Sequence, residues 1–265
     1  MNRIITPSQS GFIPGDSTVK QLVCICNDLR SSFESGTTAL AVFFDISKAF
    51  DRVWHKGLLV KLKAIGIRRL LLEWFCDYLT NRMQTVVIKG EKSRLKRVVS
   101  GVPQGSVLGS LLFLIYINDI VNDIQSVIKL FADTSMSLAS KTPNVRADTT
   151  NSDLQKINHL AKIWKVKFKE EKTKLLNCIR DQNLVLPLKS EDITLQDTAQ
   201  HKHLGIILQN NCKCHEHIRS IASKLNLLSS CLRSYKYRLT RKTLETMYKS
   251  FILTHFDYAD DCSLG

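Results

Sequence analysis

Residues Ala39 to Phe44 read ALAVFF, six consecutive apolar residues that stop at Asp45. Successive side chains of a strand point to opposite faces, so an apolar run with no polar residue at either parity needs cover on both. The segment predicts a strand buried on both faces, with a carboxylate at its carboxyl end.

The flanking patterns supply that cover. Turn residues (Ser10, Gly11, Pro14, Gly15, Asp16, Ser17) lead into helical spacing from Thr18 to Phe33, and further helical patterns run from Lys56 to Ala64 and from Leu70 to Leu79. Thr85 to Ile88 and Leu95 to Val99 are expected as strands flanking a turn at Gly90. The loop GVPQGS opens a buried helix from Val107 to Ile120, and Ser126 to Ala132 pairs through an Asp133-Thr134-Ser135 turn with Met136 to Ala139. Helical spacing returns at Asp148 to Val166. Weaker strands (Leu184 to Leu188, Leu204 to Leu208) precede two basic helices, Ile218 to Tyr235 and Thr240 to Thr254. Turn-linked neighbouring strands interleaved with helices predict an α+β fold with an antiparallel sheet.

The chain has 38 Lys+Arg against 24 Asp+Glu, a net charge of +14, within a 44% hydrophobic composition. A chain of 265 residues with that apolar content can bury a core. Its charge favours a polyanionic partner, nucleic acid ahead of anionic membrane. No apolar run reaches the roughly 18 residues of a membrane span, and the first ten residues lack a secretory signal. An intracellular protein, in nucleus or cytoplasm, is expected, with its eight cysteines as free thiols. Cys212, Cys214, His215 and His217, with His201 and His203 upstream, raise a zinc reading, but CKCHEH is tighter than structural ligand pairs; a polar hairpin is the expected alternative.

Two aspartates carry the chemistry. Asp45 ends the apolar strand and Asp133 sits in the turn of an apolar hairpin. Carboxylates beside a core are costly to leave unpaired, so each should meet a cation. Either alone could be a turn cap. Together, in a basic chain, they suggest divalent metal bound for phosphoryl transfer, where two ions about 3.5 to 4 Å apart steady the attacking and leaving oxygens.

Phe43 to His55 (FFDISKAFDRVWH), Gly101 to Gly109 (GVPQGSVLG) and Leu130 to Asp133 (LFAD) resemble, in order and spacing, the reverse transcriptase domain of non-LTR retrotransposons, the jockey-like elements above all. Ser10 to Thr18 (SGFIPGDST) resembles the family's fingers segment, Phe168 to Thr173 (FKEEKT) its lysine motif, and His203-Leu204-Gly205 its palm-edge box. The resemblance implies a right-hand polymerase. Residues 1–180 would hold partial fingers and palm, and residues 181–265 the end of the palm and a partial thumb. Asp45 and Asp133 would hold two Mg²⁺, with Mn²⁺ an alternative, against a deoxynucleoside triphosphate and the primer 3′-hydroxyl. Phe50 would be the steric gate against a 2′-hydroxyl. Gly101, Pro103, Gln104 and Gly105 would lie under the nascent pair of RNA template and incoming nucleotide. Lys172 would protonate the departing pyrophosphate. Lys224, Arg233, Lys236, Arg238, Arg241, Lys242 and Lys249 would track the RNA template and DNA primer from the thumb, and Arg68-Arg69 with the Lys92 to Arg97 run would do so from the palm and fingers side.

The chain also departs from the family. FAD is followed directly by Thr134 where the family has a second aspartate, Ser110 replaces a proline, and Lys169-Glu170 replace Asn-Pro. Tyr258-Ala259-Asp260-Asp261 spells the general metal box but follows a helical pattern with no return strand, and is rejected as its substitute. By this resemblance the chain is expected to begin inside the fingers, as a truncated element copy would. Three expectations compete: an active reverse transcriptase domain, a catalytically inactive nucleic-acid-binding remnant, and a product that does not fold stably.

Overall fold

The structure, a computed structural model, describes residues 4–35, 39–132, 135–140, 146–178 and 195–258. In chain order the elements are α1 (Thr18–Glu34), β1 (Ala39–Phe44), α2 (His55–Ala64), α3 (Leu70–Leu79), β2 (Met83–Gln84), β3 (Val87–Ile88), β4 (Glu91–Lys92) and β5 (Lys96–Arg97). There follow α4 (Val107–Ile117), β6 (Val127–Phe131), β7 (Ser135–Ser140), α5 (Arg146–Ile163), β8 (Lys174–Cys178), β9 (Gln196–Thr198), β10 (Gln200–His203), β11 (Ile206–Gln209), α6 (His215–Ser234), α7 (Arg241–Tyr248) and α8 (Thr254–Asp257).

β1 is the middle strand of a five-stranded sheet ordered β6-β7-β1-β8-β9, and all six of its residues are buried. Its period-two alternation separates two cores. Leu40, Val42 and Phe44 join Leu58, Leu62, Leu79, Leu112 and Leu154 from the helices α2 to α5. Ala39, Ala41 and Phe43 face the other way, against Leu22, Ile25 and Leu29 of α1 and Ile206 and Leu208 of β11. β8 divides likewise, Leu175 to the first core and Leu176 and Cys178 to the second. β1 pairs antiparallel with β7 and β8, and β6 with β7, as an α+β layout predicts. β9 departs from the antiparallel expectation: it joins β8 parallel.

Local chemistry explains the helices. Ser17 caps α1, its Oγ accepting the Lys20 N–H at 3.1 Å, and Ser106 caps α4, accepting the Gly109 N–H at 2.9 Å. α4 (VLGSLLFLIYI) is apolar nearly all round because it lies inside the first core. The expected strands around Gly90 are broken into two short ladders, β3 with β4 at the tip and β2 with β5 at the base. Between them Thr85 Oγ1 donates to the Ser93 carbonyl, and the Val86 N–H donates to Ser93 Oγ, so side chains interrupt the ladder. The expected strand Leu184 to Leu188 lies outside the described residues.

The amino-terminal segment is tied to the edge of this sheet. The Leu130 N–H donates to the Ser8 carbonyl at 2.8 Å and the Ser10 N–H to the Leu130 carbonyl at 2.9 Å. Gln9, 4% exposed, accepts on one amide oxygen the N–H groups of Gly11 and Ala132 at 2.8 and 2.9 Å. Ala132 sits at φ 49°, and a Cβ on Gly11 would lie 2.2 Å from its nitrogen, so only glycine allows this approach.

CKCHEH is not a hairpin. Cys212 lies in the turn after β11, Cys214 precedes α6, and His215 and His217 occupy its first turn. The Ile207 N–H points to His217 Nδ1 at 3.4 Å, and the Cys212 thiol donates to the Leu29 carbonyl at 3.6 Å, so these side chains join the β10–β11 hairpin to its helices. Among the described residues no three His, Cys, Asp or Glu groups form a metal-holding cluster. His201 and His203 instead pack on Phe43, with ring centroids 4.3 and 4.8 Å away. Burial, helped by the Lys174 charge, lowers His201 to about 4; burial, with His201 beside it, lowers His203 to about 3.

Two predictions follow from these contacts. Both histidines are neutral in the fold and titrate near 6.5 when unfolded, so the unfolded chain binds more protons below that value. Stability should be fully present above pH 6.5 and fall as pH drops toward 4, with a slope of up to about 1.4 kcal/mol per pH unit for each histidine. Urea melts across that window should show about half the combined slope of the two histidines in His203→Leu. Gln9→Leu leaves two buried N–H groups without an acceptor and should cost about 2 to 4 kcal/mol, read as a lower urea midpoint at unchanged m.

Candidate active site at the end of the central strand

β1 ends at Phe44, and the next residue, Asp45, leaves the buried sheet with its side chain 17% exposed. Its Oδ1 lies 2.9 Å from Lys169 Nζ and its Oδ2 3.2 Å from Lys172 Nζ. The expected cation for this carboxylate is thus a pair of ammonium groups. Backbone bonds fix the arrangement. The Lys169 N–H donates to the Asp45 carbonyl at 2.8 Å, the Ser47 N–H donates to the Lys167 carbonyl at 2.7 Å, and Ile46 bridges Phe168. A 3₁₀ turn over Glu170–Lys172 then presents Lys172, with the buried Thr173 hydroxyl donating to the Lys169 carbonyl at 2.9 Å.

Asp133 and Thr134 lie outside the described residues. Their neighbours Phe131 and Ser135 pair with each other, and Met136 pairs with Phe44. Both flanks of that turn therefore stand at the end of the sheet where β1 delivers Asp45.

The glycine loop is fastened to the segment that follows Asp45. The Gly101 N–H donates to the Val53 carbonyl and the Val102 N–H to the Phe50 carbonyl, both at 2.8 Å. Gly101 has φ 92°, and a Cβ there would fall 2.7 Å from the Asp51 carbonyl oxygen, so the close approach requires glycine. Its own carbonyl accepts from Arg82 Nη2 at 3.0 Å and from His55 Nε2 at 2.8 Å. Burial pushes His55 below its usual value, which keeps the ring neutral with the proton on Nε2. The Pro103 carbonyl accepts from Ser106 Oγ, while Gln104 and Gly105 are exposed, Gly105 at φ 79°.

Phe50 is 7% exposed, stacked on Phe113 at 5.0 Å with Phe12 edge-on at 6.3 Å. The ring is a core residue whose neighbours hold it rigidly. A cavity of about 890 Å³ opens between Phe12, Ile13 and the start of α4 at Gly105 and Ser106; neither Asp45 nor Lys172 lines it.

The chain thus brings together Asp45, Lys172, Phe50 and the Gly101–Gly105 loop on one tied framework. Sequence reasoning overlooked Lys169, His55, Arg82 and Gln9 as parts of it. For Lys169 the signal was present in the FKEEK run, where a cation stands three residues before the motif lysine. Asp45 offers hard carboxylate oxygens of the type that Mg²⁺ and Mn²⁺ take, but each oxygen already faces an ammonium group that such an ion would have to displace. The Tyr258-Ala259-Asp260-Asp261 segment is described only at Tyr258, whose hydroxyl donates to the Leu204 carbonyl at 2.6 Å.

Residues 1–208 match the family model "Reverse transcriptase (RNA-dependent DNA polymerase)". The chain is 28% identical over 267 residues to the "Probable RNA-directed DNA polymerase from transposon X-element" of Drosophila melanogaster, covering 96% of this chain and 29% of that protein. It is 32% identical over 233 residues to the RNA-directed DNA polymerase from mobile element jockey of Drosophila funebris, covering 83% of this chain and 25% of the relative. The chain therefore spans less than a third of these relatives. A solved structure of telomerase from Candida tropicalis with a fragment of telomeric RNA superposes with a TM-score of 0.53 at 12% identity, over 96% of this chain and 43% of that one. At that identity the likeness shows the fold alone, the α+β architecture of a polymerase palm. The match over residues 1–208 covers both the strand that ends in Asp45 and the glycine loop tied to it, and with it the chain belongs to the reverse transcriptase (RNA-dependent DNA polymerase) family, its relatives being polymerases of non-LTR retrotransposons.

Proposed function

We propose that this chain works as an RNA-directed DNA polymerase domain, joining a DNA primer to deoxynucleoside triphosphates on an RNA template. The observation that supports it best is the tie between Asp45, at the end of the doubly buried strand, and Lys172, 3.2 Å from it, in a chain whose glycine loop is fastened to the segment that follows Asp45. In this reading residues 1–180 are partial fingers and palm, and residues 181–265 the end of the palm and a partial thumb.

In the reaction the primer 3′-hydroxyl oxygen forms a bond to the α-phosphorus, the bond to pyrophosphate breaks, and the hydroxyl proton is lost. Divalent ions, Mg²⁺ or Mn²⁺, supply charge neutralisation when bound to Asp45 and Asp133. The chain's own groups do the rest. Lys172, 61% exposed, can turn from Asp45 to the leaving group and give it a proton. Phe50, 7% exposed and wedged between Phe113 and Phe12, would meet the sugar only with the small part of its ring that the core leaves open. The exposed backbone at Gln104 and Gly105 is open to a nucleobase or phosphate. Lys224, Arg233, Arg241 and Lys242 are exposed on α6 and α7, together with Tyr235 and Tyr237, and this mixture of cations and rings suits a nucleic-acid backbone and its bases. No helix of the described residues is long and apolar enough to cross a membrane. The place of action is the nucleus or cytoplasm, where template and triphosphates meet.

One observation favours a second reading, a nucleic-acid-binding chain without catalysis: a single aspartate stands before Thr134. Primer extension on poly(rA)/oligo(dT) with Mg²⁺ or Mn²⁺ separates the two. Incorporation should exceed that of Asp45→Ala by at least about 100-fold, and equal incorporation would leave only binding. Inserting an aspartate after Asp133 should raise extension further. Phe50→Val should raise the use of ribonucleotides relative to deoxynucleotides, measured as the ratio of kcat/KM values, at a stability cost of about 1 to 3 kcal/mol.

A further inference from the structure

We propose that Lys169 is a built-in counter-ion that competes with divalent cations for Asp45, so that this carboxylate binds Mg²⁺ or Mn²⁺ more weakly than its oxygen chemistry allows. The inference rests on the polymerase reading only in taking Asp45 as the ion-binding carboxylate.

Both Asp45 oxygens are engaged, Oδ1 by Lys169 and Oδ2 by Lys172. The two lysines differ in how readily they can leave. Lys172 is 61% exposed and sits on a short 3₁₀ turn, free to swing toward solvent. Lys169 is 37% exposed and makes the shorter contact. Its main chain is fixed on both sides: its N–H donates to the Asp45 carbonyl, and its carbonyl accepts from the Lys172 and Thr173 N–H groups and the Thr173 hydroxyl. Its Cα therefore cannot retreat from the carboxylate. An ion arriving at Asp45 must displace an ammonium group whose Cα stays anchored beside the carboxylate, so that the displaced charge can move no farther than its own side chain reaches and still opposes the ion.

The opposite role, a lysine that merely positions Asp45 for the ion, makes the contrary prediction. Loss of a positioning cation weakens ion binding; loss of a competing one strengthens it. The measurement is Mn²⁺ binding to the full chain alone, without nucleic acid or nucleotide, followed by the electron paramagnetic resonance signal of free Mn²⁺ at low ionic strength. Lys169→Asn should bind Mn²⁺ about ten-fold tighter than the unmodified chain, the scale on which one charge within a few ångströms shifts such an equilibrium. Lys169→Arg, which keeps the charge, should stay near the unmodified affinity. Asp45→Asn in the Lys169→Asn background should abolish the gain. Should Lys169→Asn fail to fold by circular dichroism, Lys169→Gln carries the same expectation with more of the apolar stem retained.

Equal or weaker binding by the neutral variants would overturn the proposal, and so would a gain that survives Asp45→Asn. The two readings fail separately. Unchanged Mn²⁺ affinity on Lys169 substitution, with binding still dependent on Asp45, removes the counter-ion and leaves the polymerase intact. Tighter Asp45-dependent binding with no primer extension removes the polymerase and leaves the counter-ion.

Discussion

A strand apolar at every position cannot rest at a surface, and β1 is such a strand. Its two faces build the two cores, Leu40, Val42 and Phe44 on one side and Ala39, Ala41 and Phe43 on the other. Each core recruits different elements, four helices against the first and α1 with the β10–β11 hairpin against the second. Burial on both faces restrains β1, since any tilt or slip would disturb both cores together. The carboxylate attached to its end inherits that restraint. Asp45 is held by the sheet behind it, by the Lys169 N–H on its carbonyl and by the Ile46–Phe168 bridge beside it. A group that binds ions or phosphate gains from such mounting because its own main chain need not reorganise when the ligand arrives.

Close backbone approach carries the rest of the site. The glycine loop and the amino-terminal segment belong to distant parts of the chain, yet both reach the site through glycines with no room for a Cβ. Gly101 lies against Asp51, and Gly11 against Ala132. The contacts they permit are main-chain hydrogen bonds, so they specify position without using side chains. Side chains then complete the buried polar groups. His55 and Arg82 share the Gly101 carbonyl, and Gln9 serves two N–H groups with one oxygen. The amide of Gln9 matters most where the chain bends at Ala132, the residue before Asp133.

Much of this framework is legible in the sequence, for identifiable reasons. ALAVFF, the capped run after Ser17 and the apolar α4 are dictated locally, by periodicity and by capping side chains, and the structure has each of them within a few residues. What escapes is what depends on partners far along the chain. Nothing near Gln9 indicates that its amide reaches Ala132, 123 residues away. Lys169 looks like one more solvated cation in FKEEK until the bridge between Ile46 and Phe168 brings it to Asp45, 124 residues distant. His201 and His203, grouped by eye with CKCHEH, belong instead to the face of Phe43, because the strand that carries them packs on β1. The parallel pairing of β9 has no local signature either, since direction is set by the route of the chain.

The electrostatics of the site follow from the same placement. Asp45 is buried enough for its ion pairs to be poorly screened, yet its two lysines are progressively more open to solvent, 37% for Lys169 and 61% for Lys172. Asp45 with its two ammonium groups sums to one positive charge, with Glu170 and Glu171 standing between the two lysines in the sequence, in a chain whose total is +14. Such a site is unsuited to hold a bare cation strongly and well suited to receive a polyanion. A triphosphate arriving there offers both ammonium groups an alternative partner, with several oxygens in place of one carboxylate. In the proposed function, each lysine that turned to phosphate would free an oxygen of Asp45, which would couple occupation by the anion to exposure of the carboxylate through the same two side chains. If the chain works as proposed, its basic surroundings and Asp45 would act as parts of one exchange, in which the polyanion that the chain's charge attracts would also unmask Asp45.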